Sequence, residues 1–106
     1  MKEAKGPDYL KEETRKWWEQ VYSEYELEDH HVRLLTLAAE AWDRGQQARE
    51  ILLKEGLTFT DRFDQPRKRP EVDIERDSRI AFARLVRELN LDIEPPKEPG
   101  RPPRLY

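Results

Sequence analysis

A long stretch without proline, residues 29–55, constrains the fold more than any other part of the sequence. Small and apolar residues recur in it at i, i+4, i+7, i+11, i+14 and i+18, which is the spacing of one face of an α-helix. Gly56 follows directly, and glycine commonly ends a helix. The pattern predicts one helix over residues 29–55, with a stripe of small and apolar residues at Leu34, Ala38, Ala41, Gly45, Ala48 and Leu52.

Shorter helices are predicted before and after this one. The first covers about residues 8–26, with Asp8 as its N-cap and with Trp17 and Trp18 on its apolar face. The third covers about residues 70–90, because proline suits the first position of a helix and acidic residues suit its first turn. Its predicted buried stripe consists of Ile74, Ala81, Phe82, Leu85 and Leu89.

The first two helices are predicted to form an antiparallel helical hairpin, in which aromatic side chains of the first lie over the small residues of the second. Gly45 supports such a close contact, because glycine inside a helix costs about 1 kcal/mol relative to alanine. The opposite face of the second helix carries large apolar residues that a lone hairpin would expose, which favours self-association. The candidate oligomer interface consists of Trp17, Trp18, Leu35, Trp42 and Ile51.

The connector between the second and third helices, residues 57–69, breaks the helical pattern. Its first half, LTFTDRF, has the β-branched and aromatic composition of a strand. A single short strand needs a partner, either elsewhere in the chain or in a second subunit, unless the segment is simply extended. The second half, QPRKR, is basic. Residues 1–7 are predicted as a flexible tail and residues 91–106 as an extended proline-rich tail, which leaves one helical domain over 8–90.

Composition narrows the class of protein. Charged residues make up 41% of the 106 residues and hydrophobic ones 36%, which suits exposed helices or a helical oligomer. The net charge is −3, so any contact with nucleic acid must come from a local basic patch. Cysteine is absent, which excludes disulfides and thiol chemistry. No apolar run approaches the length of a membrane span, and the start MKEAKGPDYL has no signal-peptide core, so we expect a soluble intracellular protein. The three predicted helices indicate an all-α fold.

Several motifs occur in the order found in small terminase subunits of tailed bacteriophages. They are a Trp-bearing first helix, a long helix ending in LLKEGLTFTDRF, the connector QPRKRPEV, the helix DSRIAFARLVRELNLD and a closing RPPRLY. The chain resembles that family over most of residues 15–104. The resemblance implies a non-catalytic subunit that assembles into a ring and binds double-stranded viral DNA in the cytoplasm of the bacterial host. It also implies delivery of that DNA to the large terminase subunit, which is the ATPase and nuclease.

Many small terminases carry a separate N-terminal helix-turn-helix, whereas this sequence enters its Trp-bearing helix almost at once. The resemblance therefore leaves three alternatives for DNA contact: the inner or outer surface of the ring, the basic connector, or a partner protein. In the connector, the candidate DNA contacts are Arg62, Arg67, Lys68 and Arg69. In the third helix they are Arg76, Arg79, Arg84 and Arg87, for which ion pairs on the helix surface are the competing interpretation.

The closing segment offers candidates for a protein contact. Extended proline-rich segments lose little conformational entropy on docking. We expect this one to dock onto the large subunit or a neighbouring protomer, the alternative being a disordered terminus. The residues concerned are Arg101, Pro102, Pro103, Arg104, Leu105 and Tyr106.

Motifs of catalysis and of metal binding are missing. There is no Gly-rich phosphate loop, and Ser–His pairs lack motif support, so we predict no enzyme and no cofactor. His30 and His31 are adjacent on a helix and point about 100° apart, which argues against a shared metal ion. The alternative function is a small helical adaptor or antitoxin-like regulator without DNA binding. A helix-turn-helix repressor is a third interpretation, which the long second helix disfavours.

Overall fold

The computed structural model describes residues 5–91, and most of this part of the chain is helical. The all-α prediction agrees with this architecture, to which the structure adds one small antiparallel sheet. The elements are α1 Glu12–Glu24, α2 Asp29–Glu55, β1 Thr58–Thr60, β2 Pro66–Lys68 and α3 Pro70–Leu89.

Helix α1 begins later than the sequence pattern indicates. Its N-cap is Lys11 and not Asp8, and residues before it form a turn in which the Leu10 amide donates to the Pro7 carbonyl at 3.3 Å. Asp43 of α2 accepts hydrogen bonds from the Lys11 amide at 2.8 Å and from the Thr14 hydroxyl at 2.6 Å. The start of α1 is therefore fixed by a carboxylate from another helix, which a local capping rule does not consider.

Helix α2 begins and ends at residues with recognisable capping chemistry. At its start, the Glu28 amide donates to the Nδ1 atom of His31 at 3.3 Å, so a histidine occupies the place that Glu or Gln takes in a capping box. At its end, Gly56 has a φ of 92°, a conformation that residues with a Cβ rarely adopt. Its amide donates to the Leu52 carbonyl at 2.8 Å, which closes the last turn.

The small-residue face of α2 packs against α3 and not against α1, so the predicted pairing of these faces is wrong. The most extensive helix contact is between α2 and α3. A Cβ atom added to Gly45 would lie 3.2 Å from the Cβ of Ser78 in α3. Helix α1 lies antiparallel to α2 on another face, where the indole N–H of Trp18 donates to the Thr36 hydroxyl at 3.1 Å. Close approach is possible only where small side chains face each other, and Ser78 supplies the second one.

The core is concentrated at one end of the helical layer. It forms where α1, the first half of α2 and the end of α3 meet, and its buried members are Leu10, Trp18, Val21, Leu35, Ala39 and Leu89. The last part of α2, the connector and the first turns of α3 extend past α1. Ile74, predicted as buried, is 39% exposed there because α1 does not reach it.

Candidate nucleic-acid interface

The basic connector folds into a β-hairpin, which we define as residues 57–69. Strand β1 pairs antiparallel with β2, with Thr58 opposite Lys68 and Phe59 opposite Arg67. At the base, the Arg69 amide donates to the Leu57 carbonyl at 2.9 Å. The strand-like half of the connector therefore takes the basic half of the same connector as its partner. The interpretation of residues 57–69 as a simply extended segment is corrected accordingly.

Asp61 holds the turn of the β-hairpin. Its Oδ1 atom accepts hydrogen bonds from the amides of Phe63 at 2.8 Å and Gln65 at 3.0 Å, and its Oδ2 atom lies 2.8 Å from Nε of Arg67. The hydrogen bond from the Arg67 guanidinium has the largest effect and that from the Gln65 amide the second largest, and both lower the pKa of the Asp61 carboxyl below its ordinary value. The loop has no glycine, and Asp64 takes its left-handed φ of 66°, a conformation that Asp tolerates better than most residues with a Cβ.

Acidification is therefore expected to loosen the turn. Because the folded pKa of Asp61 is the lower one, its stabilising contribution is complete above the unfolded pKa and is lost as the pH falls through the folded pKa. The amide proton shifts of Phe63 and Gln65, followed by NMR from neutral pH downward, should move together below about pH 4. Asp61→Asn should abolish that transition, whereas Asp64→Asn in the same loop should retain it. A transition that survives Asp61→Asn would contradict the assignment.

The four predicted DNA contacts of the connector do not form a single cluster. Side chains alternate between the faces of a strand, so Arg67 and Arg69 lie on the face of Phe59, and Lys68 lies on the other. Lys68 is 3.1 Å from a carboxylate oxygen of Asp73, and Arg67 is paired with Asp61 as described above. Two of the four charges are thus balanced within the chain.

Arg69 and Arg62 have different surroundings. A terminal nitrogen of Arg69 donates to the carbonyl of Glu55 at 3.3 Å, at the end of α2 where the helix dipole favours a cation. Its guanidinium also lies 5.8 Å from the Phe59 ring centre, so Arg69 joins the β-hairpin to α2. Arg62 sits at the exposed turn, 5.1 Å from the ring centre of Phe63, and forms no ion pair within residues 5–91. Of these four cations, Arg62 is the most available to a partner.

The arginines of α3 divide into two pairs. Arg76 lies 3.3 Å from Asp73 and 3.2 Å from Asp77, and Arg79 lies 3.4 Å from Glu75. These contacts are the helix-surface ion pairs that compete with a DNA role. By contrast, Arg84 and Arg87 are exposed and have no acidic partner in the part of the chain that the structure describes. Sequence spacing places all four on the helix surface, but only the structure separates the paired arginines from the unpaired ones.

The residues predicted for a subunit interface are also divided by the structure. Trp18 is 5% exposed and Leu35 is fully buried, so both belong to the core of the single chain and offer almost no surface to a second copy. Trp17 and Ile51 are partly buried, and Trp42 is 44% exposed. Further exposed apolar side chains lie where α2, the β-hairpin and α3 extend past α1. This set, which we call the apolar tip, consists of Leu53, Leu57, Phe59, Phe63 and Ile74.

The histidine pair comes closer together than its helical spacing indicates. The ring centres of His30 and His31 are 4.1 Å apart. The atoms of Glu28, His30 and His31 that could coordinate a metal ion lie within 4.8 Å of one another. The expectation that the two side chains diverge is wrong, because side-chain rotation brings the rings together. His31 already accepts the Glu28 amide, and the group lies at the positive end of α2. We assign it to helix capping.

Two further predictions concern the absence of a membrane span and a docking role for residues 101–106. Among the helices of residues 5–91, none has both the length and the apolar composition needed to cross a bilayer. The candidates for docking onto the large subunit, residues 101–106, lie outside the described residues.

The structure is a helical layer that carries a basic β-hairpin and four arginines on α3, and the comparison with protein families identifies the class of the protein. The model of the family described as phage terminase, small subunit, matches residues 11–98. The chain belongs to this family, whose members are generally the non-catalytic subunit of the terminase. The comparisons with curated proteins and with solved structures each gave no match.

Proposed function

We propose that this chain binds double-stranded viral DNA in the cytoplasm of the bacterial host and delivers it to the large terminase subunit for genome packaging. The family membership supports the packaging role. The observation that supports DNA contact is that Arg84 and Arg87 on α3 are exposed and have no acidic partner among residues 5–91. The remaining alternative is an adaptor that works only through protein contacts, which the exposed apolar tip would also suit.

Arg84 and Arg87 are the leading phosphate contacts in this proposal. They are three residues apart, so they share a helix face and rise by about 4.5 Å along it. Within the described residues, neither has a carboxylate partner to give up before it meets a phosphate. Arg62 at the turn of the β-hairpin is a third contact of the same kind. Arg67, Lys68, Arg76 and Arg79 are secondary contacts, because each would exchange an acidic partner for a phosphate.

The proposal includes a homo-oligomeric ring. One chain carries a net charge of −3, so a few arginines on a single subunit give weak attraction to DNA. Repetition of the same pair around a ring converts weak contacts into strong combined binding, because later contacts form at high effective concentration. The apolar tip supplies exposed area for subunit contacts, with Leu53 at 82% and Phe63 at 66% exposure.

DNA affinity and its dependence on salt test this function. Native mass spectrometry first establishes the number of 12.8 kDa subunits in the pure protein. Fluorescence anisotropy with duplex viral DNA then gives the affinity at several salt concentrations. Arg84→Ala combined with Arg87→Ala should weaken binding and reduce the salt slope by roughly 0.9 for each phosphate contact removed.

The ion-paired arginines of the same helix provide the matched control. Arg76→Ala combined with Arg79→Ala removes the same charge from α3 but should reduce the affinity and the salt slope less. Equal losses for the two double variants would show that net charge alone matters. If the wild-type protein fails to retain viral DNA even at low salt, the adaptor function replaces the DNA-binding one.

A further inference from the structure

A cavity lined by aromatic rings lies where the three helices meet. It is lined by Glu13, Thr14, Trp17, Trp42 and Phe82 and has a volume of about 340 Å³. The Phe82 ring contacts both tryptophans of the wall, with its ring centre 5.8 Å from that of Trp17 and 5.0 Å from that of Trp42. Trp42 remains 44% exposed, so the cavity opens to solvent. A volume of this size is within the range of ligand-binding pockets, about 300–1,000 Å³.

The chemistry of the walls restricts what the cavity can bind. Three rings from three helices give flat apolar surfaces. The Thr14 hydroxyl is already used in a hydrogen bond to Asp43. The Glu13 carboxylate at the rim is exposed and has no ion pair within the described part of the chain. Aromatic-lined grooves are the sites that bind proline-rich segments in polyproline II conformation, and an acid at the rim favours a basic residue next to the prolines.

We propose that the tail of the same chain, at residues 99–104, binds in this cavity. The sequence of this segment is PGRPPR, which combines three prolines with two arginines. Its prolines match the aromatic walls, and Arg101 or Arg104 matches the charge of Glu13. A polyproline segment also loses little conformational entropy on binding, so a modest apolar contact is sufficient.

The chain leaves the described fold close enough to reach the cavity. The hydroxyl of Tyr25 donates to the carbonyl of Leu91 at 3.3 Å, which places Leu91 at the end of α1. Trp17 lies eight residues earlier in the chain, about 12 Å along the helix. Residues 92–98 span up to about 22 Å in polyproline II conformation. The segment 99–104 therefore reaches the cavity with length to spare.

Binding of this kind would regulate the tail. While it lies in the cavity it covers Trp42, and its prolines are withheld from other partners. A large subunit that uses residues 101–106 would have to displace it. The inference does not depend on the proposed function, because its test needs neither DNA nor a large subunit.

The three tryptophans serve as the probes of the experiment. The full-length protein is labelled with 5-fluorotryptophan, and the three ¹⁹F resonances are assigned by single Trp→Phe substitutions. Trp17 and Trp42 line the cavity, whereas Trp18 is buried in the core and reports on folding alone. Pro102→Ala combined with Pro103→Ala should shift the resonances of Trp17 and Trp42 and leave that of Trp18 in place.

The tail also provides the matched control. Pro95→Ala combined with Pro96→Ala alters a proline pair outside the bound segment and should shift the cavity resonances much less. Unchanged resonances of Trp17 and Trp42 in the Pro102/Pro103 variant would overturn the proposal. Equal shifts in both variants would also overturn it. Shifts that disappear on dilution would assign the bound segment to a second copy and reject binding within one chain.

Discussion

Leu35→Ala is expected to lower the free energy of unfolding by about 3 kcal/mol, within the range of about 2–5 kcal/mol observed for buried leucines. Leu35 is fully buried in the cluster that joins α1, α2 and α3. Its loss leaves a cavity next to Trp18 and Ala39, and the rigid indole cannot move to fill it. Since small domains have a total stability of about 5–15 kcal/mol, this change removes a large fraction.

Chemical denaturation followed by circular dichroism measures this effect, with Leu53→Ala as the matched control. Leu53 lies on the same helix but is 82% exposed, so its truncation should change the free energy of unfolding of one chain by less than about 0.5 kcal/mol. The result also separates two roles for Leu35. If Leu35→Ala reduced the subunit number and left the unfolding midpoint unchanged, Leu35 would belong to a subunit interface and its placement in the core would be wrong.

Gly45→Leu is expected to destabilise the protein by about 3 kcal/mol or more, because it inserts a side chain where two helix backbones approach closely. A single Cβ at Gly45 would already lie 3.2 Å from the Cβ of Ser78. A leucine would force α2 and α3 apart along the most extensive helix contact in the fold. Overpacking of this kind costs about 1–3 kcal/mol where neighbours can shift, and more where the obstacle is another helix.

A graded series at this position distinguishes overpacking from a general effect on the helix. Gly45→Ala gains about 1 kcal/mol of helix propensity, which offsets the tight contact, so its net effect should be small. Gln47→Leu places the same large side chain at an exposed position of α2 and should be nearly neutral. Thermal unfolding of the three variants gives the comparison. A Gly45→Leu protein as stable as the Gln47→Leu protein would show that α2 and α3 do not approach closely here.

Features that depend on local sequence could be predicted closely. The period of apolar and small residues and the glycine at 56 indicate the long second helix, and the structure has α2 at Asp29–Glu55. Pro70 likewise marks the first residue of α3. Helical hydrogen bonds join residues four apart, and the glycine and proline that mark these two helix ends act locally, so these signals lie within the segments themselves.

Features that depend on distant residues could not be predicted. The small-residue stripe at Gly45 indicates close packing but does not say which helix packs there, and the answer came from Ser78, 33 positions further along the chain. The start of α1 was misplaced for the same reason, because Asp43 of α2 holds the residues at that start through the Lys11 amide and the Thr14 hydroxyl. The strand-like half of the connector was visible in the sequence, but its partner was left open between another segment of the chain, a second subunit and no partner at all.

The sequence by itself determined the extent of α2, the first residue of α3, the basic character of residues 62–69 and, through its motifs, the resemblance to small terminase subunits. Only the tertiary structure decided which arginines of α3 already have an acidic partner, and that the small-residue face of α2 meets α3. It also brought Trp17, Trp42 and Phe82 of three helices around one cavity. The physical reason is that helix formation follows from neighbours in the chain, whereas pairing of charges and of faces follows from distances that only the folded chain fixes.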